Sequence, residues 1–320
     1  YDMCPEKERY SREHLNLCST YEMSTAASES GDQLAIDHHM MIKEYSRSSA
    51  DQDLPLPNEM RPLTVLYDTM LYIINELITR IETVAGMEEG TATDFSVGEW
   101  YDFIWNRTRS IRKDIIQQRL LLNDRVMSVP ESGGGGGGSE ENEFINTLGG
   151  VLIIEDCARF HIMCGYRLCN ESADVFDFKI NEENLKNCFQ SLRQYYQVTG
   201  SMTLDTSAAA AADGEGNSSF NTSSRQSPNE AEFRAYIILL NLNESNILSE
   251  IQRWPKHIRH SGEVRFALSV YFAYQSRNYV RFFRLVRSDE CQYLQACILH
   301  RYFYKVVHTH TQVSVCIYSF

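Results

Sequence analysis

The run Trp100-Tyr-Asp-Phe-Ile-Trp-Asn-Arg-Thr-Arg-Ser-Ile-Arg-Lys-Asp114 constrains the fold more than any other stretch of this chain. On a helical wheel Trp100, Phe103, Ile104, Ile111 and Ile115 fall on one stripe, and Arg107 projects from the same stripe. Arg109 and Lys113 lie opposite. Trp105 and Ile116 make a second apolar shoulder beside Arg112. A helix that is apolar on two sides needs neighbours on two sides. The run therefore predicts an element inside a stacked helical array, its remaining cations turned to solvent or to a partner.

The rest of the chain repeats the helical period. Leu63, Leu66, Met70, Ile73, Leu77 and Ile81 recur at helical spacing after Pro62, a good first-turn residue. Leu148, Val151, Leu152 and Ile162 mark another strongly apolar helix, and Asn181 is placed to cap the one carrying Leu185, Phe189, Leu192 and Tyr196. Phe233, Tyr236, Ile237 and Leu240 start a further helix. Ile247 and Ile251 continue one that ends at Trp254-Pro255, where proline removes a donor. Val264 to Tyr274, Tyr279 to Val286 and Tyr293 to Phe303 complete the series. The predicted fold class is all-α, an antiparallel helical-repeat solenoid of the TPR/PCI-like kind. After it, Val313, Val315 and Ile317 alternate with smaller or polar residues in His308–Phe320, as a strand would.

Two low-complexity stretches interrupt the pattern. Pro130-Glu-Ser followed by six glycines and Ser139 reads as a flexible tether, and Thr199 to Asn229 reads as disordered. Both lie between helices, so they read as loop insertions, at 130–142 and 199–229. Loop-closure entropy grows slowly with length and tolerates them. The resulting division is an N-terminal segment at 1–60, a helical-repeat domain at 61–307 and an atypical tail at 308–320.

Composition narrows the classes. Hydrophobic residues make up 43% and charged residues 23% of the 320, as in globular proteins. No apolar run approaches the roughly 18 residues a bilayer span needs, so no membrane partner is expected. The chain starts at Tyr1 rather than Met and reads as an internal piece of a longer one. Nine cysteines, several on helix interiors, read as reduced thiols. Net charge is −13, yet from Glu230 onward eleven Lys and Arg face seven Asp and Glu, a local +4 that leaves −17 to the preceding part. A basic C-terminal third permits an anionic partner.

No chemistry-bearing motif survives inspection. Cys157, His161, Cys164 and Cys169 are soft-ligand types, but they lack the two tight pairs of a zinc site and read as core residues. His38-His39 reads as a solvated helix start. There is no phosphate-binding glycine loop with Lys-Ser/Thr, no nucleophile elbow and no singled-out carboxylate pair. No catalytic residue, metal or cofactor is expected. What remains are two basic stretches interleaved with aromatics: Arg107, Arg109, Arg112 and Lys113, then Arg277, Arg281, Arg284 and Arg287. Each is a candidate docking face for an acidic protein or a phosphate backbone.

Five blocks then resemble, in order, the motifs of the SAC/GANP family (germinal-centre-associated nuclear protein and its relatives). They are Asp2–Arg9; Lys43–Asp51 with Leu56-Pro57 and Arg61-Pro62; Trp105–Asp114; Asn229–Tyr236; and Asn278–Leu285. The resemblance implies a non-catalytic scaffold of the nuclear transcription-and-export complex, coupling transcription to mRNA export through nuclear pores. It implies a PCI-domain partner, a small acidic proteasome-lid-type subunit, and RNA met through the assembled complex. The implied location is the nucleus and nuclear pore, with the cytoplasm as a second site. The family adds a winged helix after its repeats, and His308–Phe320 does not resemble the start of one. The rival reading is a direct RNA- or DNA-binding module using Arg277–Arg287.

Overall fold

The computed structural model describes residues 2–24, 35–47, 56–79, 96–121, 140–212, 227–244 and 246–318. Among them are eleven α-helices and one two-stranded sheet. The all-α expectation holds, because the apolar residues recur at helical spacing and the helices bury that face. The chain forms two compact units, Tyr1–Asp156 and Cys157–Phe320.

In the first unit, α1 (Glu6–His14) is followed by a 3₁₀ turn at Thr20–Glu22 and the antiparallel pair β1 (Met23–Ser24) and β2 (Ala35–Ile36). A second 3₁₀ turn at Pro57–Glu59 precedes α2 (Leu63–Tyr72), which continues as a π-helical turn over Ile73–Ile78. Then come α3 (Val97–Gln117) and α4 (Glu140–Arg167), within which the unit boundary falls. Ser96 caps α3 by accepting the Glu99 N–H at 3.3 Å. The predicted stripe of α3 is the buried one: Trp100, Phe103, Ile104, Ile111 and Ile115 are all in the core. Trp100 Nε1 also donates to the Leu77 carbonyl at 2.8 Å, satisfying its polar edge. The second shoulder departs from expectation. Ile116 is exposed and Trp105 is half-buried, while Arg112 beside them is buried.

In the second unit, the end of α4 is joined by α5 (Phe178–Ala212), α6 (Glu230–Leu240), α7 (Ile247–Gln252), α8 (Lys256–Arg259), α9 (Gly262–Gln275), α10 (Tyr279–Val286) and α11 (Tyr293–Tyr318). Helix α6 is the hub: α8, α9 and α11 pack on it, and α10 packs on α9 and α11. Phe233, Ala235, Tyr236, Ile237, Ile238 and Leu239 are therefore buried all round the helix. α9 ends in a glycine-type cap without a glycine. Arg277 is left-handed at φ 56°, its N–H bonds the Tyr274 carbonyl at 3.0 Å, and the Asn278 N–H bonds that of Ala273 at 2.9 Å.

Four expectations are corrected. α5 starts before Asn181: Asp177 is the side-chain cap, accepting from the N–H of Lys179 at 2.8 Å and of Ile180 at 3.2 Å. Asn181 is instead buried against His161, donating to its carbonyl at 2.9 Å, while its Oδ1 accepts from Nδ1 at 2.8 Å. The stretch from Thr199 to Ala212 continues α5 as helix, since an Ala run is an excellent helix former; residues 213–226 lie outside the described residues, as does the 130–139 tether. The tail is helix through Tyr318, where α11 propagates from a well-formed start and overrides a weak alternation. His38 and His39 sit in a turn rather than a helix start, and His38 Nε2 lies 3.0 Å from Glu13 Oε2.

Candidate partner-binding faces

The two basic stretches are put to different uses. On α3 the cations are taken up by carboxylates and rings of the first unit. Glu22, fully buried, accepts from Arg12, from Arg107 Nη2 at 3.3 Å and from the Ile42 N–H at 3.2 Å through its two oxygens. The Ser19 N–H adds a fourth donor at 3.1 Å. Arg107 also lies over the Phe103 ring at 4.5 Å. Arg112 is buried. Arg109 sits between rings, 4.0 Å from the centroid of Tyr45 and 5.6 Å from that of Trp105. Lys113 donates to the Ser46 carbonyl at 2.8 Å. The solvent-facing ridge expected of Arg107, Arg109, Arg112 and Lys113 is thus mostly an inner surface. Its work is to clamp residues 43–47 onto α3.

A second buried carboxylate completes the pattern. Asp114 is 1% exposed and accepts from Lys43 Nζ at 2.8 Å and Arg61 Nε at 2.9 Å. Arg61 further donates to the Met3 carbonyl at 3.1 Å and to Ser110 Oγ at 3.2 Å, and the Lys43 N–H reaches the same Met3 carbonyl at 3.2 Å. Residues from the first three sequence blocks therefore meet in one ionic core. Cys4 lies there too, its thiol pushed up to about 12 by burial first and Glu8 next. Removing a partner from such a buried set costs about 3–5 kcal/mol, since the remaining charges stay dry.

The fourth block makes a similar core in the second unit. Arg234 pairs with Glu230 four residues before it, both buried, and lies over the rings of Trp254 at 4.8 Å and Tyr196 at 5.3 Å. Glu232 takes a two-pronged contact from Arg159, at 3.1 and 2.7 Å, plus the Tyr236 hydroxyl at 2.8 Å. Burial and then that carboxylate raise the Tyr236 pKa, keeping the hydroxyl a donor.

The fifth block differs. Asn278 Oδ1 caps α10 by accepting the Arg281 N–H at 3.0 Å, and Phe282 is buried against Tyr274 and Phe303. The opposite face holds Arg277, Arg281, Arg284 and Arg287, all exposed, with Val280 and Tyr279 exposed beside them. Among the described residues none of the four arginines has a carboxylate partner. The row is an exposed cationic strip, with Arg281 and Arg284 on α10, Arg277 just before it and Arg287 at its C-terminal cap. Cys157, His161 and Cys164 are buried in α4, and among the described residues no three His, Cys, Asp or Glu side chains are placed to hold a metal. Nor is any described helix long and apolar enough to cross a membrane. Sequence reasoning found the α10 strip but missed Glu22, for which no local signal exists.

Fold and faces define an all-α helical protein with one basic helix neutralised internally and a second left bare. A model of the SAC3/GANP family matches residues 3–315, and the chain belongs to that family. It is 38% identical over 302 residues to Protein xmas of Drosophila melanogaster, covering 94% of this chain and 12% of that protein. It is 26% identical to SAC3 family protein 1 of Schizosaccharomyces pombe, over 95% of this chain and 25% of the relative. Against SAC3 family protein B of Arabidopsis thaliana the identity is 25%, over 95% of this chain and 15% of the relative. The chain thus spans a quarter or less of the length of these relatives.

Proposed function

We propose that this chain is a non-catalytic scaffold of the nuclear machinery that couples transcription to mRNA export at nuclear pores. It works by holding a PCI-domain protein, and a small acidic proteasome-lid-type subunit with it. RNA is met through that assembly. The α10 strip is the docking face: Arg281 and Arg284 on the short helix, with Arg277 just before it and Arg287 at its C-terminal cap, suit acidic side chains or phosphates. The observation that carries this reading is the contrast in charge use, since Arg277, Arg281, Arg284 and Arg287 are exposed without carboxylate partners while the α3 cations are spent on the fold. Family membership supports the export role.

Co-expression with a PCI-domain partner tests it. Wild-type chain should co-purify with the partner, and Arg281→Glu with Arg284→Glu should lower recovery at least about tenfold while melting as wild type. Unchanged recovery would remove the strip from the interface. A second reading, direct RNA binding, is favoured by the exposed arginine row itself, whose charges suit a phosphate backbone. It predicts that the isolated chain binds single-stranded RNA with a log–log salt slope that drops by about 0.7 for each arginine removed.

A further inference from the structure

A groove of about 640 Å³ runs between α5 and α6 in the second unit. Its floor is apolar, made by the buried Leu185, Phe189 and Ile237. Along its α5 rim stand Gln190, Gln194 and Gln197, all exposed and without a hydrogen-bond partner among the described residues. Most charges of the rim are already paired, and among the described residues of the lining only the exposed Glu244 carries a charge without an ion-pair partner. Glu182 Oε1 lies 3.6 Å from Arg301 and 3.5 Å from Lys186, and Glu250 lies 3.3 Å from Arg193.

Each of these features selects a ligand property. A carboxamide offers one donor side and one acceptor side, the complement of a peptide unit. Residues four apart on a helix rise by about 6 Å. Two residues of an extended chain advance by about 6.6–6.8 Å, near enough for Gln190 and Gln194 to meet successive outward-facing amides. Side chains of such a chain point to one face at every second position, so alternate residues would turn to the Leu185–Phe189–Ile237 floor. Paired cations beside the unpaired Glu244 carboxylate give no field to attract a polyanion.

We propose that this groove binds an extended, weakly charged segment of a partner protein with apolar residues at alternate positions. Gln190 and Gln194 hold its backbone, and the floor takes its side chains. The proposal is independent of the reading given to α10.

The test uses the full chain and fluorescence anisotropy of labelled acetyl-Ser-Leu-Ser-Phe-Ser-Leu-Ser-amide. Two control peptides are a same-composition version with its apolar residues contiguous and a version with Glu at the internal Ser positions. The alternating peptide should bind best, with affinity nearly constant from about 0.1 to about 0.5 M salt. Gln190→Ala with Gln194→Ala should weaken it roughly tenfold, the loss of two backbone hydrogen bonds. Both residues are exposed, so melting should not change. Any of five results overturns the proposal: no binding by any peptide, equal binding of the contiguous control, tighter salt-sensitive binding of the acidic one, wild-type affinity in the double variant, or a concentration-dependent self-association that the double variant abolishes.

Discussion

Helices α3 and α10 are built from the same materials, arginines interleaved with aromatics, yet they put them to opposite uses. On α3 the cations point at carboxylates and rings brought from residues 22–45, and Arg107 is 4% exposed. On α10 Phe282 is buried, but among the described residues no acid pairs with the other side, and Arg277, Arg281, Arg284 and Arg287 stay wet. A basic helix is thus an interface only if remote acids leave it alone. Glu22 makes that decision for Arg107, while Asp114, on α3 itself, draws in Lys43 and Arg61 from outside the helix.

The sharpest way to break this contrast is to remove an acid. Asp114→Ala leaves Arg61 and Lys43 facing a dry hole and should cost about 3–5 kcal/mol in urea unfolding. A loss below about 1 kcal/mol would mean that the ionic core is ornamental to stability. The tryptophans of α3 sharpen the same picture. Trp100→Ala should cost about 3–5 kcal/mol and Trp105→Ala less than about 2 kcal/mol, because only the first is fully enclosed. Equal losses would show that the second shoulder packs as tightly as the first.

Much of this fold was legible in the sequence, for reasons specific to certain residues. Pro62 and Trp254-Pro255 mark helix limits because proline lacks a donor, and the Trp100–Ile115 stripe has only one period that buries it. What was not legible depended on distance along the chain. Nothing near Arg107 announces Glu22, 85 residues earlier, and the carboxylate Asp114 looks like any polar helix residue until Lys43 and Arg61 are folded onto it. Asn181 is of a residue type that caps helices well, but its side chain is spent on buried His161, and Asp177 takes the role. The Val313–Ile317 alternation misled because five residues carry less weight than a helix already propagating from Tyr293. The α10 strip was legible because exposure there needs no distant partner.

A smaller effect tests whether α10 is kept for its surface. Arg277 occupies a left-handed position that suits glycine. Arg277→Gly should therefore stabilise the chain by about 1 kcal/mol in thermal melting while weakening capture of the PCI-domain partner. A destabilised variant would mean that the Arg277 side chain supports the fold.

The most direct test of the central claim is one pair of urea titrations, Arg107→Ala against Arg281→Ala. If α3 cations serve the fold and α10 cations a partner, the first should lose about 3 kcal/mol and the second should stay within about 0.5 kcal/mol of wild type. Equal losses, or a larger one for Arg281→Ala, would contradict it.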